Sequence, residues 1–124
     1  MEKPGMIIIS HVYEIAKGVE RLLQEVAKDV AIEVIGGVDK TEIGTSFDTI
    51  LELVNNHSSD HLLAFYDLGS AKMNLEMVKE LSDKSITIYD VPIVEGSYTA
   101  AALLQADVTQ EAVEEQLKEM QIDK

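Results

Sequence analysis

The hydrophobic positions change period several times along the chain. Ile7-Ile8-Ile9 is an unbroken run of β-branched residues, as expected of a strand buried on both faces, and it stops at Ser10-His11. From there Val12, Ile15, Ala16, Val19, Leu22, Leu23 and Val26 recur at helical spacing, which predicts a helix over about residues 13–28 with that set facing inward. A second strand is expected over 30–35, ended by Gly36-Gly37, whose backbone needs unusual dihedrals. The loop through Asp39, Lys40, Thr41, Glu42 and Ile43 closes on Gly44-Thr45-Ser46. There Thr45 or Ser46 can cap a helix whose inward face is Phe47, Ile50, Leu51 and Val54.

Residues 55–60 read as a polar turn, and 61–66 as a third strand that delivers Asp67 at its carboxyl end. Leu68-Gly69-Ser70-Ala71 leads into a helix over about 71–81, with Met73, Met77, Val78 and Leu81 inward as core filling. A fourth strand over 85–89 ends at Asp90-Val91-Pro92. Residues 93–96 then form a short apolar turn segment before the Ala-rich run 98–104. The last helix starts at Thr109 and includes Val113, Leu117 and Met120. Residues 1–5 read as a loose leader, and Met6 would serve equally well as a start.

Strands alternating with helices at short intervals imply an α/β fold of three layers. The sheet is mostly parallel, four- or five-stranded, with right-handed crossovers and helices on both faces. At 124 residues this is one domain, 1–124. Such a sheet gathers the carboxyl ends of its strands on one edge, where ligands bind in open parallel sheets. His11, the 36–46 loop, Asp67 to Ser70 and the 90–96 segment are expected to converge there.

Composition narrows the function. With 46% hydrophobic and 27% charged residues the chain is globular, and no apolar run is long enough to cross a bilayer. Neither the start of the chain nor its zero cysteines suggest export, which fits a cytoplasmic protein without disulfides, thiol nucleophiles or thiolate metal sites. Ten basic residues against 23 acidic ones, a net charge of −13, oppose a nucleic-acid footprint and favour basic protein partners, though much of that charge also serves solubility.

His11 is the candidate nucleophile. A neutral imidazole attacks phosphorus if one ring nitrogen is bare while the other keeps its proton, and a carboxylate such as Asp67 enforces that by accepting a hydrogen bond. Ser10, the Gly44-Thr45-Ser46 turn and the backbone N–H groups at helix starts are candidate donors to the phosphoryl oxygens, with no added cation. On the residues alone, a histidine after a strand is more often structural or merely exposed, an aspartate there is as readily a helix cap, and Gly36, Gly37 and Gly44 are turn residues first. His57 and His61 are expected in solvent and carry no metal-ligand spacing.

Several separated segments agree with one family. Ile7-Ile8-Ile9-Ser10-His11 with Ala16 and Gly18, Gly36-Gly37, Gly44-Thr45-Ser46, Asp67-Leu68-Gly69-Ser70-Ala71 with Asn74 and Glu76, and Pro92-Ile93-Val94-Glu95-Gly96 span nearly all the chain. In these the chain resembles the DhaM family, phosphoryl-carrier subunits of the phosphotransferase-system-dependent dihydroxyacetone kinase, whose first domain is similar to mannose-type EIIA. The resemblance implies that His11 accepts a phosphoryl group from HPr and passes it to ADP bound on DhaL, which then phosphorylates dihydroxyacetone held by DhaK. With His11 as acceptor, Asp67 is the candidate for orienting the imidazole, and Ser10, Gly44, Thr45, Ser46, Gly69 and Ser70 are the candidate phosphate-binding residues. On this resemblance no nucleotide or metal cofactor is carried, the chain is expected to form a homodimer in the cytoplasm, and HPr-like or enzyme I-like segments, fused in some relatives, are expected here as separate proteins. Val12 departs from the pattern, since many relatives have a second serine after the histidine. A mannose-type EIIA feeding a sugar permease shares the chemistry. A receiver-like signalling module phosphorylated at Asp67 would need acidic Mg²⁺ ligands where this chain has Ser10-His11.

Overall fold

A computed structural model describes residues 3–124; the first two residues of the expected leader lie outside it. Among the described residues nine elements follow one another, strands and helices alternating up to a final pair of helices: β1 Gly5–Ser10, α1 Tyr13–Val26, β2 Ile32–Gly36, α2 Phe47–Asn56, β3 His61–Tyr66, α3 Gly69–Leu81, β4 Ser85–Tyr89, α4 Ile93–Gln105 and α5 Gln110–Lys118. All four strands are parallel, in the order β2-β1-β3-β4.

The unbroken apolar run of β1 is explained by a core on each side of it. Met6 and Ile8 face a cluster with Leu63, Phe65, Val19, Leu23, Ala101 and Leu104. Ile7 and Ile9 face the other way, against Ala64, Tyr66, Ile50, Leu75 and Val78. Alternate side chains of a central strand point to opposite faces, so a strand covered by helices on both sides can afford no polar position. The strand order reverses between β1 and β3, with α1 on one face and α3 on the other. This makes the gap at their carboxyl ends the switch-point crevice of the fold.

Several expectations need correction. On α1 the buried arc is Ala16, Val19 and Leu23, while Ile15 and Leu22 are exposed. On α3 the sheet-facing residues are Ala71, Leu75 and Val78, and Met73, Met77 and Leu81 face solvent. Met73 stands about 200° round the helix from Ala71, at 100° per residue. Choosing the large apolar side chains therefore selected the wrong side, whereas small Ala71 lets the helix lie close to the sheet. Residues 93–96 are the first turn of α4 rather than a connector. A Cβ at Gly96 would collide with Val91 Cγ2, so this glycine serves close packing, not a turn.

His57 is buried, not exposed, whereas His61 is exposed as expected. Its Nδ1 accepts from Ser59 N–H at 3.0 Å, so its Nε2–H donates to the Met6 carbonyl at 3.2 Å. A neutral ring with both nitrogens used is at home in a core. A Cβ at Gly5 would strike its Cε1, which explains a glycine in a buried strand and moves Gly5 from the leader into β1. Among the described residues no helix is long and apolar enough to cross a membrane.

Candidate functional site

β1 and β3 are hydrogen-bonded neighbours with Ile9 opposite Tyr66, so the residues that follow each strand emerge side by side. His11 follows β1 and Asp67 follows β3. The Asp67 carboxylate collects four donors: Oδ2 accepts from Ser10 Oγ at 2.8 Å and from the His11 backbone N–H at 2.9 Å, and Oδ1 from His11 Nδ1 at 2.8 Å and the Leu68 N–H at 2.7 Å. Burial pushes the pKa of Asp67 up, but the hydrogen bonds from His11, Ser10 and Leu68 outweigh it and hold the carboxyl below its ordinary value.

That settles the tautomer of His11. An ionised carboxylate can only accept, so Nδ1 carries the proton and Nε2 keeps its lone pair in the neutral ring. Nε2 lies on the exposed side, 2.5 Å from Ser70 Oγ, whose hydroxyl is therefore the donor. The side chain of His11 is 14% exposed and that of Asp67 13%. The pair is thus a largely sunken unit, with Nε2 turned to the exposed side.

The surroundings offer further donors. α1 and α3 start beside His11 and have no side-chain cap, whereas Ser46 caps α2 through Thr49 N–H and Thr109 caps α5 through Ala112 N–H. The first-turn amides of α1 and α3 are thus suited to an anion beside His11; α4 likewise has no side-chain cap. The loop between β2 and α2 is pinned to the end of β1, Gly37 N–H donating to the Ser10 carbonyl at 3.1 Å and Gly44 N–H to that of His11 at 2.9 Å. Both glycines have positive φ, 76° and 138°, backbone that other residues resist.

The expected site residues sort into three groups. His11, Asp67, Ser10 and Ser70 meet directly, and Gly69 opens α3 one residue before Ser70. Ser10 is fully buried, and its hydroxyl is engaged with Asp67 and with the Val12 N–H. Gly44 touches His11 through its amide, while Thr45 takes a hydrogen bond from Asn74 at 2.8 Å and Ser46 faces α2. Asp90 turns away from His11, toward the Tyr66 hydroxyl and the Lys72 ammonium. Sequence reasoning missed Lys72 and Lys124, whose partners are distant in the chain and carry no local motif. Two cavities of about 260 and 310 Å³ lie along β4 with α5 and along β2 with α2, and His11 lines neither.

Asp67 and Asp90 both titrate below the ordinary carboxylate value in the folded protein, hydrogen bonds outweighing burial at each. The unfolded chain then binds more protons in acid, so their stabilisation is complete above a free aspartate's pKa of about 3.9 and drains away as pH falls through the lower folded values. Urea midpoints between pH 7 and 3 are expected to fall, and to fall less steeply in Asp67→Asn.

The pattern of EIIA-man, the PTS system fructose IIA component, matches residues 5–115. The chain belongs to the EIIA-man family. Over 120 residues it is 51% identical to the PTS-dependent dihydroxyacetone kinase phosphotransferase subunit DhaM of Lactococcus lactis subsp. lactis, covering 97% of this chain and 98% of that one. Over 123 residues it is 46% identical to the phosphoryl donor subunit DhaM of PEP-dependent dihydroxyacetone kinase 1 of Listeria innocua, covering 98% and 99%. These matches place it among the DhaM members of the EIIA-man family. A solved protein of unknown function shares the fold, with a TM-score of 0.83 at 24% identity over 97% of this chain and 94% of that one. The expected mannose-type EIIA-like three-layer architecture is therefore correct, with four strands.

Proposed function

We propose that this protein is the phosphohistidine relay of a phosphoenolpyruvate-dependent dihydroxyacetone kinase, a single cytoplasmic phosphoryl-carrier domain working as a homodimer. His11 takes the phosphoryl group from HPr and delivers it to ADP on DhaL, which serves dihydroxyacetone on DhaK. The observation that carries this reading is the His11 tautomer: Nδ1–H is held by an ionised Asp67, and Nε2 is left bare on the exposed side.

In the uptake step the Nε2 lone pair attacks phosphorus, the N–P bond to the donor's histidine breaks, and that imidazole leaves with the electron pair. Nδ1 keeps its proton, so the His11 ring becomes cationic and the Asp67 carboxylate lies beside it to balance the charge. The Ser70 hydroxyl turns from Nε2 to a phosphoryl oxygen, joined by first-turn amides of α1 and α3. In delivery a terminal phosphate oxygen of ADP attacks, the P–Nε2 bond breaks and its electron pair returns to the ring. The exposed apolar residues Leu68 and Met73 beside the site, continued by Met77 and Leu81 along α3, support a protein partner docking on this helix.

Asp67→Asn replaces an obligate acceptor by an amide that can present either a donor or an acceptor, so the ring loses its fixed tautomer. Uptake is expected to slow by about 10–100-fold. Quenched-flow labelling with phosphoenolpyruvate, enzyme I and HPr measures it, and an unchanged rate would remove Asp67 from the orienting role. The family also admits a sugar-permease EIIA, whose phosphate goes to an EIIB protein. Incubating the phosphorylated chain with DhaL and ADP, or with EIIB, separates the two: ATP formed on DhaL supports the relay, and discharge only to EIIB refutes it.

A further inference from the structure

A second polar cluster lies beside the His11–Asp67 pair and takes no part in the steps above. Tyr66, the residue before Asp67, is fully buried, and its hydroxyl donates to Asp90 Oδ1. The other Asp90 oxygen takes the Lys72 ammonium at 2.9 Å. The segment after α5 runs across this cluster. Ile122 N–H donates to the Asp90 carbonyl at 2.9 Å, and two residues later Lys124 Nζ donates to the Tyr66 carbonyl at 2.7 Å and to that of Val91 at 2.6 Å. The same ammonium stands 4.1 Å from the centre of the Tyr66 ring.

One side chain thus ties the strand end that carries Asp67 to the segment that opens α4. The Tyr66 carbonyl and the Asp67 N–H belong to a single peptide plane. Its oxygen is held by Lys124, and its N–H by a longer 3.3 Å bond to the Ile9 carbonyl. A plane gripped at both ends cannot swing, and that fixes the direction in which the Asp67 side chain leaves the backbone. The Lys124 main chain also comes to 3.9 Å from the point where a side chain at Gly69 would begin, one residue before Ser70. An ammonium is a costly brace here: burial pushes the Lys124 pKa down, with Asp67 and Asp90 opposing that shift. An apolar side chain would cover the same surface without that cost, but would leave both carbonyls unbound.

We propose that Lys124 is a positioning residue for phosphoryl uptake: by clamping the Tyr66 carbonyl it keeps the Asp67 carboxylate aimed at His11 Nδ1–H. The inference rests on the relay reading for its consequence, but its geometric half can be measured without phosphate.

Three proteins decide it: the full chain as it stands, Lys124→Met and Lys124→Arg, with Lys124→Gln replacing the methionine variant should that one fail to fold. The first readout is the ¹⁵N spectrum of the His11 ring in the unphosphorylated protein. The second is the rate of labelling from phosphoenolpyruvate, enzyme I and HPr. The parent shows the Nδ1–H tautomer alone. Lys124→Met shows a mixture and labels about tenfold more slowly, while Lys124→Arg keeps the parent tautomer and rate to within about twofold. Circular dichroism of all three keeps the parent fold, because Lys124 fills neither core cluster. Parent-like spectra and rate in Lys124→Met overturn the proposal. Failure of the parent itself to label overturns the relay reading, and the ring spectra then decide the clamp separately.

Discussion

His11→Ala leaves a folded protein that takes up no phosphate at all. The expected loss is complete, not partial, because the only bare imidazole nitrogen facing Ser70 is removed and no neighbour can replace it. Ser10 Oγ is buried against Asp67, and the buried His57 ring has both nitrogens engaged with Met6 and Ser59. The fold survives because the ring caps the edge of the sheet and does not fill either core cluster. Intact mass after incubation with phosphoenolpyruvate, enzyme I and HPr measures the label, and far-UV circular dichroism the fold. Labelling of the variant at the parent level would move the acceptor to another residue and end the assignment. The label on the parent should be lost in acid and kept in base, as for phosphate on nitrogen; the reverse would indicate an acyl phosphate on aspartate.

Gly36→Ala should damage stability and uptake together. Gly36 pairs with Ser10 at the end of β2, and a Cβ there would lie 2.5 Å from the Val12 carbonyl oxygen and 2.6 Å from Tyr13 Cα. Both are backbone atoms of the turn into α1, so no rotamer change makes room. Either β2 moves out or the start of α1 moves up, and His11 lies in the turn between Ser10, which pairs with Gly36, and that helix start. Overpacking of this kind costs about 2–3 kcal/mol. With the nucleophile displaced, labelling should slow at least about tenfold. Gly18→Ala is the contrast: nothing lies within 4 Å of its Cβ, it is inside α1, and alanine there should add about 0.5–1 kcal/mol. Urea denaturation of the two variants tests the pair. A Gly36→Ala protein as stable as its parent would mean that the strand and helix are not in the close contact on which the site depends.

Much of this architecture was legible in the periodicity. A run such as Ile7-Ile8-Ile9 has no polar face, so it demands cover on both sides. The strand ends at Ser10, Tyr66 and Tyr89 fall where the apolar runs stop. The arcs that helices present to the sheet were less legible. Hydrophobic side chains occur on more than one side of α1 and α3, and what faces inward depends on how closely each helix approaches the strands. Ala71 permits a close approach that Met73 would prevent, and His57 is buried because a space at Gly5 accepts its ring. Neither fact has a signature within a local window of sequence.

The chain by itself determined a histidine and an aspartate at the ends of two buried strands, because strand and helix periods are local properties of the backbone. Only the tertiary structure decided that those strands are neighbours in register, that Ser10 and the Leu68 amide join His11 on one carboxylate, and that Ser70 faces Nε2. Hydrogen bonds act over about 3 Å, and the pairs that join the two strand ends, Ser10 and His11 with Asp67 and His11 with Ser70, are separated by more than fifty positions in the chain, as are Lys124 and Tyr66. Which ring nitrogen is left without a proton follows from that packing, since the ionised Asp67 is held by Ser10 and His11 donors that the fold brings to it.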